Sequence, residues 1–164
     1  MTEVTLKIGD SLPNENLYIK TASGIEVIEV NELVENKKVV LFSVPGAFTP
    51  TCSAAHLPGY VATYDQFVDA GVDHVICVSV NDPHVMAAWS EQQNAENLLL
   101  LSDGNGALAE AMGMELDAKA AGMGIRSKRY SMLLENGVIK QLNLEAPGKF
   151  EVSDAETLLK QIAG

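Results

Sequence analysis

Cys52 and Cys77 are the only thiols in the chain, and their settings assign them different chemistry. Cys52 closes the stretch from Pro45 to Cys52, which follows the apolar run Val39 to Val44. Thr49 followed by Pro50 reads as a helix start, with a hydroxyl at the N-cap and proline at the first helical position. Cys52 then falls in the first turn, where backbone N–H groups are unpaired and the helix dipole favours negative charge. The chemistry expected there is that of a thiolate nucleophile. Thr49 precedes Cys52 by one turn, so its hydroxyl can reach the surroundings of the sulfur. His56 follows four residues later on the same face, although a packing or solvent-facing histidine is its more ordinary role. Pro45 ends the strand, and its ring can shield a neighbouring thiolate from water. Cys77 lies within Val75 to Val80, mid-strand, where a thiol is expected to be buried, protonated and inert.

A thiolate needs a cation, and the sequence offers few. No Lys or Arg occurs between Lys38 and Lys119, and the only arginines are Arg126 and Arg129. Either His56 or this distant cluster must supply the charge. Arg129, Ser131 and Leu133 share one face of a strand, but local pattern does not choose between the two arginines.

The elements that must position these groups alternate between strand and helix. The first thirty residues read as an extended arm with a strand at Ile25 to Val30, and Asn31 can cap a short helix over Glu32 to Glu35. Val39 to Val44 is a buried central strand. A helix from Thr49 to Gly71 has Leu57, Val61, Tyr64 and Val68 at helical spacing, with a kink expected at Pro58. His74 to Val80 is a second buried strand, and Asp82-Pro83 opens a helix through about Glu91. Leu98 to Leu101 is a short strand and Gly106 to Met112 a short helix. Residues 113–125 read as irregular. Arg129 to Leu134 and Val138 to Leu144 flank Asn136-Gly137, a hairpin signal, and Ser153 is the expected cap of a last helix, Asp154 to Ile162. The pattern predicts an α/β fold with a mixed sheet, in one domain over residues 1–164. The cysteine sits just past the carboxyl end of a buried strand, where open α/β sheets place their sites.

Composition excludes several classes. A net charge of −11 argues against nucleic acid and against anionic membranes. No apolar run approaches the roughly 18 residues of a membrane span. The N-terminal residues lack a basic region followed by an apolar stretch, so no secretory leader is expected. Two cysteines are too few for a disulfide framework, which favours a reducing, cytoplasmic setting. Cys-X-X-Cys is absent because position 55 is Ala55, which counts against a thioredoxin-type disulfide exchanger. No metal-ligand spacing and no glycine-rich phosphate loop is present.

The stretch from Val44 to Ser53, with His56 to Tyr60 after it, resembles the active-site segment of the peroxiredoxins, more narrowly the peroxiredoxin-five group, called type II in plants. The Pro-X-X-X-Thr-X-X-Cys pattern falls on Pro45, Thr49 and Cys52. Val75 to Asp82 and Arg129 to Met132 are similar to segments of that group in the same order, and the likeness weakens after about residue 145. The resemblance implies a thioredoxin-like fold, with a central mixed β-sheet flanked by helices. It also implies reduction of hydrogen peroxide and alkyl hydroperoxides through a cysteine sulfenic acid, with no cofactor or metal. The family's motif arginine matches Arg129, and a homodimer is expected, with Phe48 as a candidate contact. Some members carry a resolving cysteine near the C-terminus, whereas residues 140–164 hold none. A one-cysteine cycle follows, with glutathione and glutaredoxin, or thioredoxin, as the outside reductant. Two other readings stay open: a peroxide sensor or chaperone-like protein without steady-state turnover, and a non-catalytic thioredoxin-fold interaction domain.

Overall fold

The computed structural model describes residues 5–164; the first four residues of the expected arm lie outside the described residues. Further along, the arm is more ordered than its sequence suggests. Asn16–Thr21 (β1) pairs antiparallel with Gly24–Glu29 (β2), where only the second strand was expected. In β1 only Leu17 is deeply buried, so the strand lacks an alternating signal and owes its order to its neighbours. Val30–Val34 (α1) is capped by Glu29 and not by Asn31, through a reciprocal capping box with Glu32. The Asn31 N–H is taken instead by the Asn14 side chain.

Lys38–Ser43 (β3) is the buried central strand, and the chain leaves it at Pro45. A helix opens at Pro50 and is wound as a π-helical turn over Cys52–His56, with the Leu57 N–H donating to the Cys52 carbonyl. Here the expected kink takes the form of a widened turn. Pro58 has no N–H to give and its ring crowds the carbonyl four residues back, so the turn ahead of it opens. The helix continues as Leu57–Ala62 (α2) and, after a break at Thr63, as Tyr64–Asp69 (α3). Gly71, at φ +88°, ends it as expected. The break alters the expected apolar stripe. Leu57 is buried, but Val68 is exposed, and Tyr60 and Phe67 fill the core instead.

His74–Ser79 (β4) lies parallel to β3, with Phe42 opposite Cys77. Pro83–Gln92 (α4) is capped by Asp82, whose carboxylate accepts the Val85 N–H. Leu99–Ser102 (β5) runs parallel to β4 and is followed by Ala107–Ala111 (α5). Within the stretch expected to be irregular, Glu115–Asp117 (β6) pairs with Ile125–Ser127 (β7) as a small separate sheet. Three-residue strands are too short to show a period. Tyr130–Glu135 (β8) and Val138–Leu144 (β9) form the predicted hairpin, with Asn136 and Gly137 both at positive φ. Ala155–Ala163 (α6) takes Asp154 as its cap in place of Ser153.

The main sheet has the order β2-β1-β5-β4-β3-β8-β9, with a parallel centre and antiparallel flanks. This is the central mixed sheet that the strand–helix pattern predicted. Alternation along β3 divides the core into two layers. Val40 and Phe42 join Leu57, Tyr60, Trp89 and Leu158 on one face; Val39 and Leu41 join Leu17, Ile76, Leu108 and Met132 on the other. Because β8 is antiparallel to β3, with Tyr130 opposite Ser43, the residue entering β8 meets the chain leaving β3. That residue is Arg129. No helix among the described residues is long and apolar enough to cross a membrane.

Candidate active site

The loop from Pro45 to Thr49 is held by side-chain bonds to the end of β4 and within itself. The Ala47 N–H donates to Asn81 Oδ1 at 2.9 Å, which ties the ends of β3 and β4 together. Thr49 donates its hydroxyl to the Gly46 carbonyl at 2.6 Å and so does not serve as the expected N-cap. A Cβ at Gly46 would lie 2.9 Å from Met123 Cε and 3.0 Å from Thr49 Cγ2, so the position admits only glycine without a shift. Phe48 is held at φ +65° and is 47% exposed. A bulky residue adopts that conformation only under constraint, which is common in functional loops.

Cys52 lies in the first helical turn, as expected. The helix ladder starts with the Ser53 N–H donating to the Thr49 carbonyl at 2.9 Å, so the Cys52 N–H precedes it. The residue itself is fully buried. Its neighbour Thr51 and its donor Arg129 line a cleft of about 390 Å³, together with Pro45, Leu116 and Phe150. Of the residues singled out from sequence, Pro45 and Arg129 line this cleft, whereas Thr49 makes its bond within the loop.

The two arginines separate clearly. Arg129 Nη2 donates to Cys52 Sγ at 3.1 Å. Arg126 instead braces the loop, donating to the Met123 and Pro45 carbonyls at 2.8 and 3.4 Å. Arg129 is fixed in turn by His56, with 2.7 Å between Nη1 and Nδ1. A guanidinium has no acceptor, so His56 Nδ1 must offer its lone pair and the ring proton sits on Nε2. That proton is donated to the Ser153 carbonyl at 3.0 Å, which also accepts the Tyr60 hydroxyl at 2.8 Å. Burial, and after it the charge of Arg129, pushes His56 down to about 3, so the ring is neutral. Phe150 packs 4.9 Å from the His56 ring, and the Arg129 guanidinium lies 5.7 Å from its centroid.

Cys77 behaves as expected of a strand interior. It is fully buried, and burial first, then the neighbouring Cys52, pushes its thiol well up. Both cysteines are free. Phe150, and Glu145, which accepts the Ser153 hydroxyl at 2.8 Å, had no signal in the sequence. Tyr60 lay within the segment from His56 to Tyr60 and Ser153 was read as a helix cap, but neither was read as a partner of the site. The Trp89 indole N–H donates to Ser53 Oγ at 2.9 Å and fastens α4 to the cysteine's helix.

Residues 7–159 match the family Redoxin. The chain is 48% identical to Peroxiredoxin-2E-2, chloroplastic, of Oryza sativa subsp. japonica, covering 96% of this chain and 73% of that protein. It is 40% identical to Peroxiredoxin-2D of Arabidopsis thaliana, covering 96% and 98%. Its fold superposes with a TM-score of 0.93 on the crystal structure of reduced Prx3 from Vibrio vulnificus in complex with H2O2, at 51% identity and covering 96% and 99% of the two chains.

Two outcomes are expected from this geometry. Arg129→Gln should slow iodoacetamide alkylation of Cys52 at neutral pH by tenfold or more, on the order expected for losing a close charged hydrogen bond. Arg126→Gln should have a much smaller effect, and equal effects would refute the assignment. The second outcome concerns acid stability. His56 falls from 6.5 to about 3 on folding, so the unfolded chain takes up a proton that the folded chain refuses. Its contribution is present above 6.5 and lost as the pH falls toward 3. Urea unfolding should show a slope of up to about 1.4 kcal/mol per pH unit from this group, flattened in His56→Asn.

Proposed function

The chain belongs to the redoxin family, within it to the peroxiredoxins, and is a thiol peroxidase; we propose that Cys52 performs this reaction in a one-cysteine cycle resolved by glutathione with glutaredoxin. The observation that carries the reading is the Arg129 guanidinium 3.1 Å from Cys52 Sγ at a cleft that Arg129 lines. The Cys52 thiolate attacks the terminal peroxide oxygen, a sulfur–oxygen bond forms and the oxygen–oxygen bond breaks. Cys52 is thereby oxidised to sulfenic acid, and the peroxide leaves as an alkoxide or hydroxide that takes up a proton. Arg129 faces the charge that moves from sulfur to leaving oxygen. The Thr49 proton is committed to the Gly46 carbonyl, which leaves the hydroxyl's lone pairs to accept a hydrogen bond from the peroxide. The Cys52 N–H can donate to it, and Pro45 limits the approach of water.

Regeneration needs a thiol. Resolution within the chain would require a second sulfur whose Cα can come within about 7 Å of Cys52. Cys77 is the one candidate, and its place in β4, paired with both β3 and β5, resists that movement. Glutathione attacks the sulfenic sulfur, releasing water and forming a mixed disulfide. A second glutathione then attacks the glutathione sulfur, releasing the Cys52 thiolate and oxidised glutathione; where glutaredoxin attacks instead, it takes the glutathione as its own mixed disulfide, which another glutathione reduces. We also propose a reducing, cytoplasmic setting for this cycle and a homodimer in which the exposed Phe48 is a contact.

Intact-mass analysis tests the cycle. At low peroxide without reductant, Cys52 should appear as sulfenic and then sulfinic acid, and glutathione should convert the sulfenic form to one adduct per chain. A stoichiometric Cys52–Cys77 disulfide would overturn this mechanism, and absence of steady-state peroxide loss with every thiol reductant would favour a sensor. For the dimer, sedimentation at micromolar concentration should show a species of twice the chain mass, reduced by Phe48→Asp; a monomer alone would refute it.

A further inference from the structure

We propose that Glu145 is a positioning residue for the Cys52–Arg129 pair, acting through the segment it gathers and through the carbonyl that sets the His56 tautomer. Glu145 follows β9 and is buried, with 6% of its surface exposed. One oxygen, Oε2, accepts the N–H groups of Glu151, Val152 and Ser153 and the Ser153 hydroxyl, each at 2.8 Å. Successive N–H groups converging on one anion form a nest. Burial alone would push the Glu145 carboxyl up, but these bonds outweigh it and hold it below the ordinary carboxylate range. The Glu145 N–H also donates to the Arg129 carbonyl at 3.0 Å, so the residue holds the backbone of Arg129 with one group and the strap with the other.

The strap thus closed, residues 146–150, walls the cleft and carries Phe150 against both His56 and Arg129. At its far end the nest fixes Ser153, whose carbonyl takes the His56 Nε2 proton and leaves Nδ1 to aim Arg129 at sulfur. A direct Glu145–Arg129 ion pair would have spent the guanidinium charge on a carboxylate. Among the described residues the ion pairs include none to Arg129. Glu145 spends its own charge on backbone N–H groups, and a neutral ring holds the arginine.

The inference rests on the proposed role of Arg129, and its test keeps the two apart. The rate of Cys52 oxidation by H2O2 is followed by stopped-flow fluorescence of Trp89, whose indole touches the cysteine's helix. The His56 tautomer is read by 15N-histidine NMR. Glu145→Ala should be slower by about 10- to 100-fold, as for a misplaced reacting group, and should lose the Nε2-protonated signature of His56. Glu145→Gln, which keeps an acceptor oxygen, should lie between it and the wild type. Should Glu145→Ala not fold, Glu145→Asp, which draws the oxygen back from the nest, should show the same slowing and the same change at His56. A folded Glu145→Ala or Glu145→Asp with wild-type rate and an unchanged His56 signature, only melting lower, would overturn the positioning role. If Arg129→Gln also reacts at the wild-type rate, the reading of the site itself falls; if it is slow and the Glu145 variants are not, only Glu145 is dismissed.

Discussion

The site depends on a guanidinium held 3.1 Å from a sulfur that no solvent reaches. Burying a thiolate or an arginine alone costs several kcal/mol. Together they offset one another through opposite charge and a charge-assisted hydrogen bond. A half-buried cation in direct contact with sulfur acts locally even in so acidic a chain, at −11 overall: the net charge is screened within about a Debye length, whereas this contact is only 3.1 Å long.

A rotamer-rich arginine stays in place only if something holds it, and the holder must not cancel its charge. A carboxylate would hold it and cancel the charge. The neutral His56 ring holds it by a lone pair, between Phe42 and Phe150. The neutrality of the ring follows from burial and from Arg129 itself, so the arrangement is self-consistent: the cation it supports keeps the imidazole unprotonated.

The scaffold supplies the meeting point. Two parallel strands end side by side, joined through Asn81, and the antiparallel β8 delivers Arg129 to the same edge. The π-turn places Cys52 and His56 in one widened turn ahead of Pro58. Helix irregularity at a functional site is common, and here it follows from a proline whose missing N–H the ladder must accommodate.

Much of this was legible in the chain because its signals are local. The apolar run before Pro45, the helix start at Pro50, the Asp82 cap and the Asn136-Gly137 turn each act over a few residues and each stands where it was expected, although the Thr49 hydroxyl bonds the Gly46 carbonyl and caps nothing. The contrast between Cys52 at a helix start and Cys77 inside a strand was equally local. The strands β1, β6 and β7 were not visible, because their order comes from pairing and not from their own pattern. Residue spacing alone could not choose Arg129 over Arg126; only the resemblance to a family did, and the register of β8 against β3 is what brings Arg129 to the sulfur. His56 meets Ser153 across 97 residues and Arg129 across 73, while Glu145 reaches Ser153 over a loop of eight. Hydrogen bonds over such distances leave no periodicity for a sequence to carry, so the chain by itself marked Cys52 as the candidate nucleophile and the tertiary structure decided which cation meets it and what holds that cation.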